Sequence, residues 1–403
     1  MLAEPTTQGV AITTPVVVIQ KLMSAPGIIM NKQQKTSILI LEQGQSFGGA
    51  IISLSQTIAC FKKIDPVLIT FMPQEASAPW AKGVKHIVLA DHFNYKLRSR
   101  FNSFCKKNVP TNLLQKFFYK GYALASLVNE ILLAHKIAKI GRKNNVRLVH
   151  CNNNVSCLAW RVAKIMKLPL VYHFRGVNGS NTYSDEVRLA ASKYIAISRF
   201  LAESYSRDLS LPLEKFSVIH NPVDHHVFER LSPPAIALAR SAMQAQESDV
   251  VYLIAARIIP FKGQLEFLQC SLPLLADNKH FKIALMGNSA DESPAYFQEI
   301  EAFINEHQLH QQVIMLGFQA DPMPFIKAAD VIVHFSLGPE GFGRSVVEAW
   351  AAKKPIIATA IGGPIELINH GQDGYLVDPC NTEQCQTHLQ LLLASTELRA
   401  NLG

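Results

Sequence analysis

The sequence lacks the features that mark membrane-spanning, secreted and disulfide-linked proteins. No run of 18 apolar residues occurs among its 403 residues, so no helix is expected to cross a bilayer. The first 14 residues contain an acid and no base, which is not the pattern of a signal peptide. The seven cysteines are scattered and form no C-x-x-C pair. These absences favour a cytoplasmic protein with reduced thiols.

Acidic residues are scarce in one segment, which we call the basic segment (residues 82–147). It contains 14 Lys or Arg and two acids, so it carries +12, whereas the whole chain carries +8. A local patch of this kind favours a partner with phosphates or anionic lipid. Three interpretations stay open: contact with an anionic membrane surface, binding of a phosphorylated or lipid-linked acceptor, and an ordinary solvated face. Nucleic acid is not expected, because no recognised binding module is present.

The rest of the composition indicates a folded protein with two domains. Hydrophobic residues make up 48% of the chain and charged residues 17%. Short apolar runs alternate with helical stretches, which predicts α/β domains with parallel sheets and a ligand cleft between them. The expected division is a mobile leader (1–35), an N-terminal domain (36–224), an irregular linker (225–248) and a C-terminal domain (249–403).

Two cations follow the first predicted strand of the C-terminal domain, in "AARIIPFKGQ". Arg257 and Lys262 lie in a loop that Pro260 bends and that Gly263 ends at the start of a helix. Arginine can clamp two oxygens, lysine supplies a point charge, and a helix N-terminus favours anions. The pattern indicates a diphosphate site. The alternative is a pair of ordinary surface cations.

Two glutamates with seven residues between them follow a later strand, in "PEGFGRSVVEAWAAKKPIIATAIGG". Glu340 lies in a glycine-rich turn and Glu348 lies about one turn inside the next helix. Carboxylates are good acceptors for the vicinal hydroxyls of a sugar. The alternatives are a surface acid at Glu340 and a capping box formed by Ser345 and Glu348.

This stretch, extended to "GGPIELI", resembles the signature of retaining glycosyltransferase family 4. "GQDGYLVDP", "ARIIPFKG", "IAISRF", "VIHNPVD" and "QSFGGAIISL" are similar to other blocks of the family. The resemblance covers the chain from about Thr36 to its end. It implies the GT-B fold, in which two Rossmann-like α/β domains place parallel sheets toward an interdomain cleft.

The resemblance also implies roles for individual residues. Arg257 and Lys262 would neutralise the leaving diphosphate, Glu340 would contact the donor sugar, and Glu348 would bind the ribose. His173, at the end of "LVYHFRG", would contact the sugar from the N-terminal domain. The alternative is a hydrogen-bonded histidine at a strand end. Backbone contacts to sugar and phosphate are expected at five further positions: Gly48, Gly49, Gly341, Phe342 and Gly343.

The function implied is transfer of a hexose or N-acetylhexosamine from a UDP- or GDP-sugar to a glycan or lipid-linked acceptor. Synthesis of cell-surface polysaccharide or lipopolysaccharide is the expected setting, in the cytoplasm or on the cytoplasmic membrane face. No cofactor is expected, and no metal, since no Asp-x-Asp motif is present.

The chain departs from the family pattern at Ala256, at Asn221-Pro222 and in the reduced final helix. These departures leave a second hypothesis open, namely a catalytically degenerate sensor or scaffold that binds a nucleotide sugar. A sugar-nucleotide epimerase on the same fold is disfavoured, because no acid/base set for proton abstraction is evident.

Overall fold

A computed structural model describes residues 35–42, 49–71, 84–89, 112–153, 155–177, 183–288 and 293–403. The predicted leader lies outside these ranges except for Lys35, and Gly48 lies outside them as well. The chain divides into two compact units. The first contains Met1–Ile197 and Ala202–His220, and the second contains Ser198–Leu201 and Asn221–Gly403.

The N-terminal unit is built on a seven-stranded sheet in the order β3-β2-β1-β4-β5-β6-β7, and every pair is parallel. The strands near the centre of the sheet are buried, as expected for a sheet covered on both faces, whereas the last strand in this order is part-exposed. The strands are β1 Thr36–Glu42, β2 Ile64–Thr70, β3 Lys85–Val88, β4 Val149–Asn152, β5 Leu170–Phe174, β6 Lys193–Ala196 and β7 Phe216–Val218.

The helices of this unit connect the strands. They are α1 Gly49–Ala59, α2 Asn112–Lys143, α3 Cys157–Met166, α4 Asp185–Leu189 and α5 Arg199–Asp208, with a 3₁₀ turn at Leu213–Lys215. Helix α2 is 32 residues long, and its second half contributes Leu133, Ile137 and Ala138 to the core. Within the described ranges, no helix combines the length and apolarity that a membrane span needs.

The C-terminal unit repeats the plan with six parallel strands in the order β10-β9-β8-β11-β12-β13. They are β8 Val250–Ala255, β9 Phe281–Met286, β10 Val313–Gly317, β11 Val331–His334, β12 Ile356–Thr359 and β13 Tyr375–Val377. Alternate residues of β8 enter different cores: Tyr252 packs on one face of the sheet and Val251 on the other. The two parallel sheets that the alternation predicts are confirmed.

The helices of the C-terminal unit flank this sheet. They are α6 His226–Glu229, α7 Pro233–Ala242, α8 Gln264–Asp277, α9 Pro294–Glu306, α10 Met323–Ala328, α11 Arg344–Ala351, α12 Pro364–Leu367, α13 Thr382–Ala394 and α14 Thr396–Leu402, with a 3₁₀ turn at Pro260–Lys262.

Residues 225–248, expected to be an irregular linker, instead contain α6 and α7. The Ser232 side chain caps α7 by accepting a hydrogen bond from the backbone N–H of Ala235, and Pro233 follows at the helix start. Phe228 and Met243 are buried in the core of the C-terminal unit. The stretch therefore folds as part of that unit, although Leu238 on α7 is 73% exposed.

Candidate active site

The candidate site lies at the centre of the C-terminal sheet, where β8 and β11 are neighbours. The strand order changes direction at this point: β9 and β10 lie on one side of β8, and β12 and β13 lie beyond β11. In an open α/β sheet, ligands bind beyond the carboxyl ends of the strands at such a switch point. The loops after β8 and β11 hold Arg257, Lys262 and Glu340, and Glu348 follows in α11, so the topology brings these residues to one edge.

The loop after β8 is fixed by backbone contacts. Gly263 has φ of +64°, and a Cβ at this position would lie 2.3 Å from the carbonyl oxygen of Phe335. Only glycine allows both the left-handed conformation and this close approach. The backbone N–H of Leu337 donates to the carbonyl of Phe261 at 2.9 Å. The two loops therefore form one connected backbone structure.

Lys262 and Glu340 form an ion pair through the lysine Nζ and the carboxylate Oε1, and their side chains are only 20% and 18% exposed. The Ser336 hydroxyl donates to the same oxygen at 2.8 Å. Burial raises the pKa of Glu340, but the Lys262 charge, His334 and these hydrogen bonds outweigh it and hold the pKa below its ordinary value. Glu340 is thus a carboxylate at neutral pH.

Glu348 and Arg344 are paired along α11. The Arg344 guanidinium donates to Oε1 of Glu348 at 2.6 Å, and the two side chains are 17% and 15% exposed. The N-cap of α11 is Gly343, with φ of +90° and no side-chain cap. The capping box considered for Ser345 and Glu348 is therefore absent: Ser345 lies inside the helix, and Glu348 accepts a hydrogen bond from a side chain.

The glycine turn before α11 is held by the loop that follows β12. The backbone N–H of Gly363 donates to the carbonyl of Glu340 at 2.8 Å. Gly341, Phe342 and Gly343 are all buried. Phe342 as a whole residue is 3% exposed, so its ring is buried within the unit.

His334 is a site residue that the sequence analysis missed. It ends β11, and its Nδ1 lies 2.7 Å from the Ser345 hydroxyl oxygen. Burial, with a smaller contribution from the Lys262 charge, lowers the pKa of His334 to about 4. Its Nε2 is buried without a hydrogen-bond partner among the described residues. The available signal was a histidine within the apolar run "VIVHFS" that leads into the glycine turn.

The remaining predicted residues are divided between the two units. Arg257 is an exposed residue of the loop after β8, and its carbonyl accepts a hydrogen bond from the Gln264 side chain at 2.9 Å. His173 lies in the N-terminal unit, on β5, and is 2% exposed. Gly49 is the exposed first residue of α1. The call at Gly48 lies outside the described residues.

Two family profiles match most of the chain. The family described as "Glycosyl transferases group 1" matches residues 237–403, and "Glycosyltransferase Family 4" matches residues 74–227. Together they span both units.

Individual relatives are distant. An uncharacterised glycosyltransferase of Methanocaldococcus jannaschii is 27% identical over 47% of this chain and 47% of its own length. N-acetyl-alpha-D-glucosaminyl L-malate synthase of Bacillus anthracis is 22% identical over 77% of this chain and 80% of its length. Lipopolysaccharide 1,2-N-acetylglucosaminetransferase of Salmonella typhimurium is 28% identical over 54% of this chain and 57% of its own length. The chain thus spans about half the length of two of these three relatives.

Solved structures share the fold over nearly the whole chain. A glycosyltransferase from Rickettsia africae superposes with a TM-score of 0.74 at 20% identity, covering 91% of both chains. Anabaena HepE in complex with UDP gives a TM-score of 0.71 at 22% identity, covering 91% of this chain and 92% of its own. At these identities the likeness establishes the fold. The chain belongs to the family 4, group 1 glycosyltransferases, enzymes of the GT-B fold.

Proposed function

We propose that this glycosyltransferase moves a hexose or N-acetylhexosamine from a UDP- or GDP-sugar to a glycan or lipid-linked acceptor, with retention of configuration. The donor occupies the C-terminal unit and the acceptor the N-terminal unit. The observation that carries the proposal is the Lys262–Glu340 pair at the switch point of the C-terminal sheet. The UDP bound to Anabaena HepE and the lipopolysaccharide substrate of the Salmonella relative support this choice of donor and acceptor.

In the proposed chemistry, the two cations stabilise the negative charge that develops on the leaving group. As the bond between the anomeric carbon and the diphosphate breaks, negative charge accumulates on the phosphate oxygens. Lys262, held by Glu340 before any ligand arrives, and Arg257 neutralise that charge with little reorganisation. The acceptor hydroxyl attacks the anomeric carbon from the same face of the sugar that the diphosphate leaves. Its proton passes to a phosphate oxygen of the leaving group.

The remaining assignments follow the same scheme. Glu348 accepts hydrogen bonds from the ribose hydroxyls, Glu340 and the turn before α11 contact the donor sugar, and His173 contributes a contact from the N-terminal unit. Both glutamates are already paired with cations, Glu340 with Lys262 and Glu348 with Arg344.

A thermal-shift panel of UDP, GDP, ADP and their sugars tests the donor. A ligand that binds only the folded state stabilises it, by about 2.7 kcal/mol at a concentration 100 times its Kd. We expect one nucleotide family to raise the melting temperature and the others to leave it unchanged. Turnover of the radiolabelled sugar is then measured with candidate acceptors. Binding without transfer or hydrolysis would support the sensor hypothesis and contradict the proposal.

The exposed half of α2 supports a second proposal, contact with an anionic membrane. Leu124 and Leu132 are each 63% exposed, and Val128, between them, is 49% exposed. Residues four apart share one face of a helix, so the three form an apolar stripe. Lys120 and Lys136 are exposed at its two ends. An apolar stripe flanked by lysines fits the interface of a membrane that contains anionic lipid.

Vesicle sedimentation tests the membrane proposal. We expect binding to phosphatidylglycerol vesicles that weakens as salt rises, and little binding to phosphatidylcholine vesicles. Replacing Leu124 and Leu132 by serine should lower the partition coefficient at least about tenfold, because roughly 2 kcal/mol of apolar transfer free energy is lost. The matched control is Leu238→Ser, a leucine 73% exposed on α7. Equal binding to both vesicle types, or equal losses in the two variants, would refute the proposal.

A further inference from the structure

Five polar side chains are buried together at the carboxyl ends of β1, β4 and β5. Strands β1, β4 and β5 are consecutive in the N-terminal sheet, so the ends of these strands meet at one edge. None of the five side chains belongs to a residue more than 7% exposed. We call them the polar cluster: Glu42, His150, Asn152, His173 and Arg175.

One part of the polar cluster anchors the arginine. The Arg175 Nε donates to Oδ1 of Asn152 at 2.6 Å, and the Asn152 Nδ2 donates to Oε2 of Glu42. An arginine can only donate hydrogen bonds and a carboxylate can only accept them. The amide of Asn152 therefore has one orientation that satisfies both neighbours, and it connects the buried cation to the buried anion.

The other part of the polar cluster converges on one ring nitrogen. Nε2 of His150 lies 3.2 Å from Nδ1 of His173, and Nη2 of Arg175 lies 3.5 Å from the same Nδ1. The two imidazole planes are inclined by 13° and their centroids are 5.3 Å apart, which fits an edge-to-edge hydrogen bond between the rings. Because Arg175 has no acceptor, the Nδ1 it faces is the unprotonated nitrogen.

This assignment determines the protons on both rings. If Nδ1 of His173 accepts, His150 donates from Nε2, and the proton of a neutral His173 is on its own Nε2. Burial, then the charge of Arg175 and then His150, hold the pKa of His173 well below its ordinary value, so the ring is neutral at pH 7. A second proton on Nδ1 would make the His173 ring a cation that directly faces the positively charged guanidinium of Arg175.

The resulting Nε2–H has no acceptor among the described residues. Leaving such a donor buried and unsatisfied costs about 1–3 kcal/mol. A group of this kind in a folded protein requires an explanation, and a ligand atom is one. Nδ1 of His150 is also buried without a hydrogen-bond partner in the described part of the chain. This nitrogen is unprotonated, so it is an acceptor.

We propose that Arg175 and His150 are positioning residues that hold His173 in the neutral Nε2–H tautomer, so that His173 donates a hydrogen bond to a ligand oxygen and does not act as a base. Asn152 and Glu42 hold Arg175 in place. The identity of that oxygen as a hydroxyl of the transferred sugar rests on the proposed function. The tautomer itself does not, because it follows from contacts within the N-terminal unit.

NMR of the full chain labelled with ¹⁵N-histidine tests the tautomer directly. The His173 signals are assigned from their loss in His173→Gln. We expect Nε2 of His173 to resonate as a protonated nitrogen and Nδ1 as an unprotonated one in the free protein at pH 7. In Arg175→Gln we expect partial protonation of Nδ1. A protonated Nδ1 in the wild-type protein would overturn the inference, whether or not any variant folds.

Kinetics separate positioning from a general structural role. Arg175→Gln should lower kcat about tenfold when His173 is present and less than twofold when it is already glutamine, because residues that act through one group are not additive. Equal effects in both backgrounds would refute the positioning role. The control is Arg161→Gln, which breaks a part-buried ion pair of the same unit, with Glu130 at 2.8 Å, and should leave kcat and the His173 signals unchanged.

The NMR outcome is independent of the proposed function, whereas the kinetic outcome requires turnover. Absence of transfer with every donor would refute that function and leave the nitrogen signals as expected. Transfer accompanied by a protonated Nδ1 would refute the tautomer alone.

Discussion

Lys262→Ala is expected to lower kcat by about 10²- to 10³-fold while the protein stays folded. The reason is electrostatic: a fixed cation directed at the leaving diphosphate stabilises the charge of the transition state, and losing one such group costs about this much. The lysine is only 20% exposed and is held by Glu340, so water can replace it only poorly. The measurement is kcat with the donor identified by thermal shift.

Two controls make the Lys262 result specific. Lys279→Ala removes an exposed lysine from the same unit and should leave kcat unchanged. Urea unfolding of Lys262→Ala should show a loss of no more than about 3 kcal/mol, because a part-buried pair is broken but the core is intact. A folded variant with near-normal kcat would show that Lys262 does not neutralise the leaving group.

The overall fold could be predicted because its signals are local. Each predicted strand is an apolar run, and nearly every one ends where polar residues begin. Strand β13, only three residues long, was not recognised as a strand, since Tyr375–Val377 is too short to show a pattern. The helices α6 and α7 were missed because α6 is only four residues long and α7 begins with two prolines, which are typical of an irregular stretch.

Part of the site could also be predicted, because parallel strands place their loops at the same edge of a sheet. Lys262 and Glu340 are 78 residues apart in sequence, yet the loops that hold them follow neighbouring strands. Sequence spacing alone left Glu348 open between a capping box and a ligand contact. The conformation of Gly343 excludes the capping box, because this glycine is the N-cap and Ser345 lies within the helix, and the ligand contact of Glu348 stays a prediction.

The polar cluster could not be predicted. Asn152 and Glu42 are 110 residues apart, and His150 and His173 are 23 apart. No local period relates these positions, and each residue alone is a polar group at the end of an apolar run. Their meeting depends on the strand order β1-β4-β5, which the sequence pattern does not determine. Long-range strand order is thus the information missing from the sequence reading of the N-terminal unit.

Glu348→Ala is expected to weaken binding of the donor nucleotide by about 10- to 100-fold. A hydrogen bond to a charged group contributes about 1.5–3 kcal/mol when it is formed in a part-buried site, and each 1.4 kcal/mol is a factor of ten. Arg344 occupies one carboxylate oxygen of Glu348 in the free protein, at 2.6 Å, and a carboxylate has acceptor sites left for hydroxyls. Calorimetric titration with the nucleotide diphosphate gives the affinity.

Glu348→Ala has two opposite effects on the affinity for the nucleotide, so the measured change shows which of them dominates. Removing Glu348 also removes a negative charge beside Arg344, which should strengthen attraction of the diphosphate. If phosphate attraction dominates, the affinity rises. If the ribose contact dominates, as we expect, the affinity falls and the loss depends on the ribose hydroxyls.

A 2′-deoxynucleotide should then bind the wild-type protein more weakly than the ribonucleotide, while Glu348→Ala should bind the two about equally. Glu301→Ala, at an exposed position on α9, should preserve the wild-type difference. A ribose preference that survives in Glu348→Ala would place the hydroxyl contact on another residue.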